Sequence, residues 1–295
     1  GCSGGGCPSG KPKLEFPVAI KQLWYSDENS RASIYKERDL MNNVFTGRAF
    51  PKFMDTEEIK EKDTVFLTME AAKGDFKKIK KEPFPVKARL FADAMYGVKE
   101  IHRLGYIHRD LKPQNIFLSW DQKHALIADF GLTIHEGDST ESNVVGTPVY
   151  VAPEVYKTTT YSDKQDVWAM GLVLYELIFQ ARPKVFYDVF VNKKWDLLYD
   201  FDITDDARFK DLDEWLEIQE LPDSTDTAEL AEDVRQLLVG MLQVDPELRI
   251  DAAEALDRAT EISQKLGNTG DVAGGLAKRR VEGEGVCERI EHIRF

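Results

Sequence analysis

The sequence predicts an α+β fold in which a short, strand-rich amino-terminal part precedes a larger and mostly helical one. Val18-Ala19-Ile20-Lys21 and Val65-Phe66-Leu67-Thr68-Met69 are short apolar runs of strand length, both early in the chain. From Val86 to Leu104, by contrast, Ala88, Leu90, Phe91, Ala94, Met95, Val98 and Ile101 recur at helical spacing, and Gly105 ends the pattern. At 295 residues the chain suits one two-lobed unit rather than two independent domains, and it can bury a sizeable core.

The elements follow in chain order. Residues 1–17 form a Gly/Ser-rich segment with no apolar strand ahead of it. Val18 to Lys21 is the first strand. Arg31 to Met41 can form a helix, with Ile34, Leu40 and Met41 as an incomplete apolar stripe. Val65 to Met69 ends a small lobe spanning 18–70, and Glu70-Ala71-Ala72-Lys73-Gly74 is the connection into a large lobe spanning 71–266. Asn115-Ile116-Phe117-Leu118 and Ala125-Leu126-Ile127-Ala128 flank polar Asp121-Gln122-Lys123-His124, the pattern of a hairpin. Asp166 to Phe179 is a second strongly apolar helix. Residues 267–295 are Gly-rich, carry Lys278-Arg279-Arg280, and are expected to be disordered.

Composition narrows the partners. A formal charge of −13 argues against nucleic-acid binding and permits basic protein substrates. Much of the acidic excess lies between Asp196 and Asp233, where Trp195, Leu197, Leu198, Tyr199, Trp215, Leu216 and Ile218 interleave with it; a solvated insert packed on the larger lobe is expected. No apolar run has the length of a membrane span, and the polar start does not look like a signal peptide. Three scattered cysteines suggest a reducing, intracellular compartment, cytoplasmic or nuclear, with neither a disulfide framework nor a metal site.

The chemistry-bearing blocks are His108-Arg109-Asp110-Leu111-Lys112-Pro113-Gln114-Asn115, then Asp129-Phe130-Gly131, then Gly146-Thr147 with Ala152-Pro153-Glu154. Each alone is a short motif that recurs by chance. In this order and spacing they resemble the catalytic, metal and substrate loops of the eukaryotic-type serine/threonine protein kinases. Val18-Ala19-Ile20-Lys21 is similar to that family's phosphate-binding strand, and Asp245-Pro246-Glu247-Leu248-Arg249 to the segment whose arginine pairs with the glutamate of Ala-Pro-Glu, here Glu154 with Arg249. The resemblance covers about Val18 to Ala259.

The resemblance implies a small antiparallel β lobe with one main helix above a mostly helical lobe, and transfer of the γ-phosphoryl group of ATP, with Mg²⁺, to Ser/Thr hydroxyls of proteins. Asp110 would orient the attacking hydroxyl and take its proton, and Lys112 would neutralise charge on the phosphate in flight. Asn115 and Asp129 would ligate Mg²⁺, and Lys21, paired with Glu37, would hold the α- and β-phosphates; Glu28 is a second candidate for that pairing. Met69 would be the gatekeeper, the backbone near Glu70 and Ala72 would bind adenine, and Ala19 and Phe117 would sandwich the ring. His108 and Phe130 would pack, Asp166 would bond the catalytic-loop backbone, and His124 and His135 would lie in surface loops. Arg109 would meet a phosphate on the segment between Leu132 and Val145, which offers Ser139, Thr140 and Ser142, with Ser142 and Thr147 as regulatory positions. Lys112-Pro113 and Gly146-Thr147-Pro148 resemble the Ser/Thr branch, and Leu132 the trend toward serine. Gln114 stands where many arginine-directed members carry Glu.

The family's glycine-rich loop has no clear counterpart. Gly1-x-x-Gly4 reads either as its tail or as a flexible linker. The alternative function is therefore a pseudokinase or scaffold that keeps the fold for binding.

Overall fold

The computed structural model describes residues 17–138, 144–158 and 161–268. Strand β1 (Val18–Trp24) leads into helix α1 (Glu28–Asp39), followed by β2 (Phe53–Ile59) and β3 (Thr64–Glu70). The three strands form one antiparallel sheet in the order β1-β3-β2, with Ala19 opposite Met69 and Lys21 opposite Leu67. This sheet and its one helix are the small lobe, as expected.

Helix α1 begins three residues ahead of the expected Arg31, because Asp27 caps it. The Asp27 carboxylate accepts the Ser30 N–H at 2.8 Å while the Ser30 hydroxyl accepts the Asp27 N–H at 3.1 Å, a reciprocal capping box. Ile34 and Glu37, one turn apart, are both buried. The helix then widens into a π-turn over Leu40–Val44, which delivers Phe45 into the core.

The larger part is built on helices. Short β4 (Gly74–Asp75) joins the chain leaving β3 to the hairpin, and α2 (Phe84–Arg103) starts with Pro85 in its first turn, where a missing N–H costs nothing. Strands β5 (Tyr106–Ile107) and β8 (Ile134–His135) pair with each other, and β6 (Ile116–Leu118) and β7 (Ala125–Ile127) form the expected hairpin, with Ile116 opposite Ile127. Helices α3 (Pro153–Thr158), α4 (Lys164–Phe179), α5 (Val185–Phe190), α6 (Asp196–Tyr199), α7 (Ala207–Lys210), α8 (Leu212–Glu217), α9 (Thr227–Met241) and α10 (Ala252–Lys265) complete the chain. From Gln165 to Ile178, α4 is buried on every side, with α2, α9 and α10 packed about it.

The acidic stretch docks as expected through Leu198, Leu212 and Leu216, and Trp215 meets Phe84 edge-on at 5.3 Å. Ile218 and Leu197 depart from that expectation: both are exposed, Ile218 to 79%. His135 also differs, lying in β8 with its ring against Tyr106 at 5.0 Å rather than in a loop. Of the expected tail, Gly267 and Asn268 are described, and the Asn268 amide donates to Pro85 and Ser263 carbonyls. Residues 1–16 and 269–295 lie outside the described residues. Among the described residues no helix is long and apolar enough to cross a membrane.

Glu154 and Arg249 form the expected pair, in two-pronged geometry at 2.7 and 2.9 Å. The fully buried guanidinium also donates to the carbonyls of Gln243 and Lys164 and lies over Trp168 at 5.1 Å. Removing one member of such a pair leaves the other as an uncompensated charge. Arg249→Met is therefore expected to lower unfolding free energy by about 3–5 kcal/mol, read as a shift of the urea midpoint at constant slope.

Candidate active site

Two polar clusters meet where the strand-rich part faces the hairpin. The first is centred on Lys21 in β1. Its ammonium donates to Glu37 Oε1 at 2.7 Å and to Asp129 Oδ1 at 3.0 Å, joining sheet, helix α1 and the loop after β7. Burial alone would pull the lysine's pKa down, but the two carboxylates outweigh it and the net shift is upward. Asp129 shows the reciprocal case: burial pushes it up, and Lys21 holds it below the usual carboxylate range. Glu28, the second candidate for this pairing, instead bonds Arg31 on the exposed face of α1 at 2.9 Å.

The second cluster is centred on Asp110. Its Oδ1 accepts both the Thr147 hydroxyl at 2.7 Å and the Thr147 N–H at 2.9 Å. Its Oδ2 accepts Lys112 Nζ at 2.7 Å and Asn115 Nδ2 at 3.0 Å. Lys112 also donates to the Thr147 hydroxyl at 2.8 Å. Thr147, expected as a regulatory position, thus sits against the carboxylate expected to act as base. Gly146, with φ of +99°, allows this approach, since a Cβ there would lie 2.4 Å from the Arg109 carbonyl oxygen.

The loop bearing Asp110 is held from below. The buried Asp166 carboxylate of α4 accepts the N–H groups of His108 at 2.8 Å and Arg109 at 3.0 Å, with His102 Nε2 at 2.9 Å. Burial pushes Asp166 upward, but these donors keep it below the usual range. Arg109 and Asp129 both have left-handed backbones, φ of +69° and +66°, conformations that persist only where surrounding bonds enforce them. Beneath lies an aromatic stack: Phe130 meets Phe45 at 4.5 Å and His108 at 5.5 Å. The hairpin ties the two clusters together through the Ala128 N–H, which donates to the Asn115 carbonyl at 3.0 Å.

At the chain crossing between the two parts, Glu70 N–H donates to Lys52, Ala71 N–H to Pro17 and Lys73 N–H to Leu118, at 2.8–2.9 Å. Among these four residues, and within the described chain, Ala72 N–H stands outside that bonding. Met69 is buried opposite half-buried Ala19, and Phe117 is half-buried in β6. Arg109 Nε donates to the Leu132 carbonyl at 2.6 Å and its guanidinium lies over Tyr161 at 4.9 Å; burial pushes its pKa down. Ser139, Thr140 and Ser142 lie outside the described residues.

The sequence matches the Protein kinase domain family over residues 11–259. The chain belongs to the protein kinase family. It is 34% identical over 169 residues to the serine/threonine-protein kinase CG17528 of Drosophila melanogaster, covering 56% of this chain and 20% of that protein. It is 33% identical over 184 residues to the serine/threonine-protein kinase PEPKR2 of Arabidopsis thaliana, covering 60% and 37%. With the human serine/threonine-protein kinase ULK3 it shares 30% identity over 243 residues, 74% of this chain and 47% of the relative. The chain spans less than half the length of these relatives.

One tether in this kinase domain carries no motif. Glu58 of β2 accepts from Arg31 at 2.7 and 3.0 Å and from the hydroxyls of Tyr25 and Tyr35, each at 2.9 Å. It fixes α1 two turns ahead of Glu37, and the Arg31 bonds, followed by those from the two tyrosines, draw its carboxyl down to about 2. Three partner residues, one following β1 and two on α1, make four bonds to this one residue of β2, so no sequence spacing signals it.

Glu58→Gln is expected to weaken the fold at neutral pH and to lower transfer activity by loosening α1. Because the folded pKa is depressed, the stability difference between wild type and variant is full above the unfolded value of about 4.3 and closes as pH falls toward the folded value. Urea midpoints of both proteins from pH 7 to pH 3 read this; a pH-independent gap removes the assigned charge role.

Proposed function

We propose that this domain transfers the γ-phosphoryl group of ATP, held with Mg²⁺, to serine or threonine hydroxyls of protein substrates. The observation that carries the reading is the convergence just described: Asp110 with Lys112, Asn115 and Thr147, facing Lys21 with Glu37 and Asp129. The parts are those phosphoryl transfer needs, namely positioning and charge neutralisation without a covalent intermediate.

Asp110 accepts the proton of the attacking hydroxyl. Held by donors on both oxygens, it is fixed in one orientation, so its reach is set before substrate arrives. Lys112 stands beside the acceptor position and offsets negative charge that builds there. Lys21, oriented by Glu37, neutralises the α- and β-phosphates. Asn115 Oδ1 and Asp129 Oδ2 take no part in the bonds above; as two hard oxygen donors they fit a Mg²⁺ that draws its remaining ligands from phosphates and water. When bound, that ion would offset the negative charge of the phosphates. Adenine would lie between Ala19 and Phe117 behind Met69, with the Glu70 carbonyl and Ala72 N–H on its polar edge.

Specificity for Ser/Thr rests on Lys112-Pro113 and Gly146-Thr147-Pro148 and on the names of the relatives. Thr147 is the concrete link: a base braced by a threonine hydroxyl leaves a short acceptor side chain to complete the geometry. Arg109, whose guanidinium meets no carboxylate in the bonds described, suits a phosphate on the segment before Val145.

Asp110→Asn preserves size and the bonds to one oxygen while abolishing proton acceptance. It is expected to cut transfer from labelled ATP with Mg²⁺ to generic acidic and basic proteins by about a hundred- to ten-thousand-fold, with nucleotide affinity unchanged. Wild type and variant transferring phosphate equally, or neither doing so, would overturn the reading in favour of a binding module.

A further inference from the structure

The whole chain carries 52 acidic and 39 basic side chains, a balance that favours basic substrates. The surface beside the acceptor site runs the other way. Between Lys73 and Lys81, five of nine residues are lysine. Phe76 and Ile79 anchor this segment in the core, and Lys73, Lys77, Lys78 and Lys81 are exposed. Lys80 alone turns inward, donating to Glu176 Oε2 at 3.2 Å.

Glu176, buried in α4, is a saturated carboxylate. Besides Lys80 it accepts the Tyr150 hydroxyl at 2.8 Å and Arg182 Nε at 2.8 Å. The Arg182 guanidinium lies 5.3 Å over the Tyr150 ring, and its side chain remains 43% exposed. Arg208 adds a further cation, donating to the Arg182 carbonyl at 3.3 Å, near Asp206. Lys80 and Arg182 thus share the single carboxylate of Glu176, and the Arg182 guanidinium stays partly open to water.

This cluster is joined to the acceptor site through one short turn. Tyr150 N–H donates to the Thr147 carbonyl at 2.9 Å, and Thr147 bonds Asp110; all three line the same cleft. A turn of about 2 Å rise per residue and the length of a tyrosine place Arg182 on the order of 10 Å from Asp110, within a few residues of extended peptide at roughly 3.3 Å each. Three carboxylates near the acceptor site are engaged by cations: Asp110 by Lys112, Glu154 by Arg249, Glu176 by Lys80 and Arg182. Position 114, beside the base, is a neutral glutamine.

Resting on the kinase reading above, we propose that Arg182 and Lys80, backed by the Lys73–Lys81 face, select protein substrates bearing a negatively charged side chain, carboxylate or phosphate, roughly two to four residues from the acceptor hydroxyl. The local field overrides the global one because a bound peptide meets only charges within a screening length of about 8 Å. Arg182 keeps donors beyond those spent on Glu176 and on the Tyr150 hydroxyl, and it can hold a second anion without releasing the first.

The test uses the full chain and one acceptor peptide carrying Asp, phosphoserine, Ala or Arg at each position up to four residues from the acceptor. Anionic peptides are expected to exceed their Arg counterparts in kcat/KM by about tenfold at one position at least, with the advantage shrinking in high salt. Arg182→Glu is expected to invert that ratio; because the ratio is taken within each variant, a general loss of activity cancels. Faster transfer to the phosphoserine peptide than to the Asp peptide identifies phosphate as the preferred anion, and equal rates show that a carboxylate suffices. Equal rates for Asp and Arg at every position, or a ratio untouched by Arg182→Glu, overturns the proposal while the kinase reading stands. Fluorescence anisotropy with the same labelled peptides gives the ratio without chemistry. Weaker binding of the anionic peptide to Arg182→Glu with no transfer by either protein supports the anion site and defeats the kinase reading.

Discussion

The carboxylate of Asp166 is the constraint on which the site depends. It sits at the start of a helix buried on every side, and its two oxygens take up the N–H groups of His108 and Arg109. Those bonds hold Arg109 in a left-handed backbone that an arginine would otherwise avoid, which in turn points Asp110 toward Thr147. A buried charge is costly unless donors surround it, and Asp166 has them from His102 as well. The same helix supplies Glu176, which steadies Tyr150 on the far side of the substrate loop. One rigid, apolar helix therefore sets the position of the loop that carries Asp110 and of the turn that carries Tyr150.

The second cluster is assembled differently, from parts that can separate. Lys21 draws Glu37 from α1 and Asp129 from the hairpin loop, and the only covalent links between those three residues are long. Its geometry rests on two supports outside the cluster: the Phe45–Phe130 stack below and the Glu58 tether on the outer side of α1. Phe45 reaches that stack because the chain widens into a π-turn after α1, where a regular helix would have pointed the ring elsewhere. The tether acts on the amino-terminal half of α1 and the stack on the chain beyond it, so between them the helix is fixed in both translation and rotation.

Much of this was legible in the sequence, and the reason is local. Asp110, Lys112, Asn115 and Asp129 stand in short blocks whose order and spacing resemble those of the protein kinases, and strand, helix and hairpin patterns around them have the right periods. Glu37 with Lys21, and Glu154 with Arg249, are legible through that resemblance. The apolar stripe starts helix α1 three residues late, because the capping box of Asp27 and Ser30 uses residues that the stripe does not reach. The sequence makes Thr147 a regulatory position, because only the folded chain shows it 2.7 Å from Asp110. Glu58, Glu176 and Arg182 leave no signal in the sequence. Each gathers partners far apart in the chain, as Arg31 with Glu58 or Lys80 with Glu176, and no linear pattern encodes such meetings.

Charge shows why that gap matters for function. A formal −13 is a sum over a surface whose far side no peptide touches, and salt screens charges beyond a Debye length of about 8 Å. Much of the acidic excess lies between Asp196 and Asp233, whereas the lysine-rich segment lies directly after the chain crossing between the lobes. Two segments of one domain thus carry opposite signs. Long-range steering follows the net charge and favours basic partners at low ionic strength, while the contacts that decide which residue is held beside Thr147 follow Lys80 and Arg182. A protein with a basic surface elsewhere and an acidic residue near its acceptor hydroxyl satisfies both, and net charge alone would not have distinguished it from a uniformly basic one.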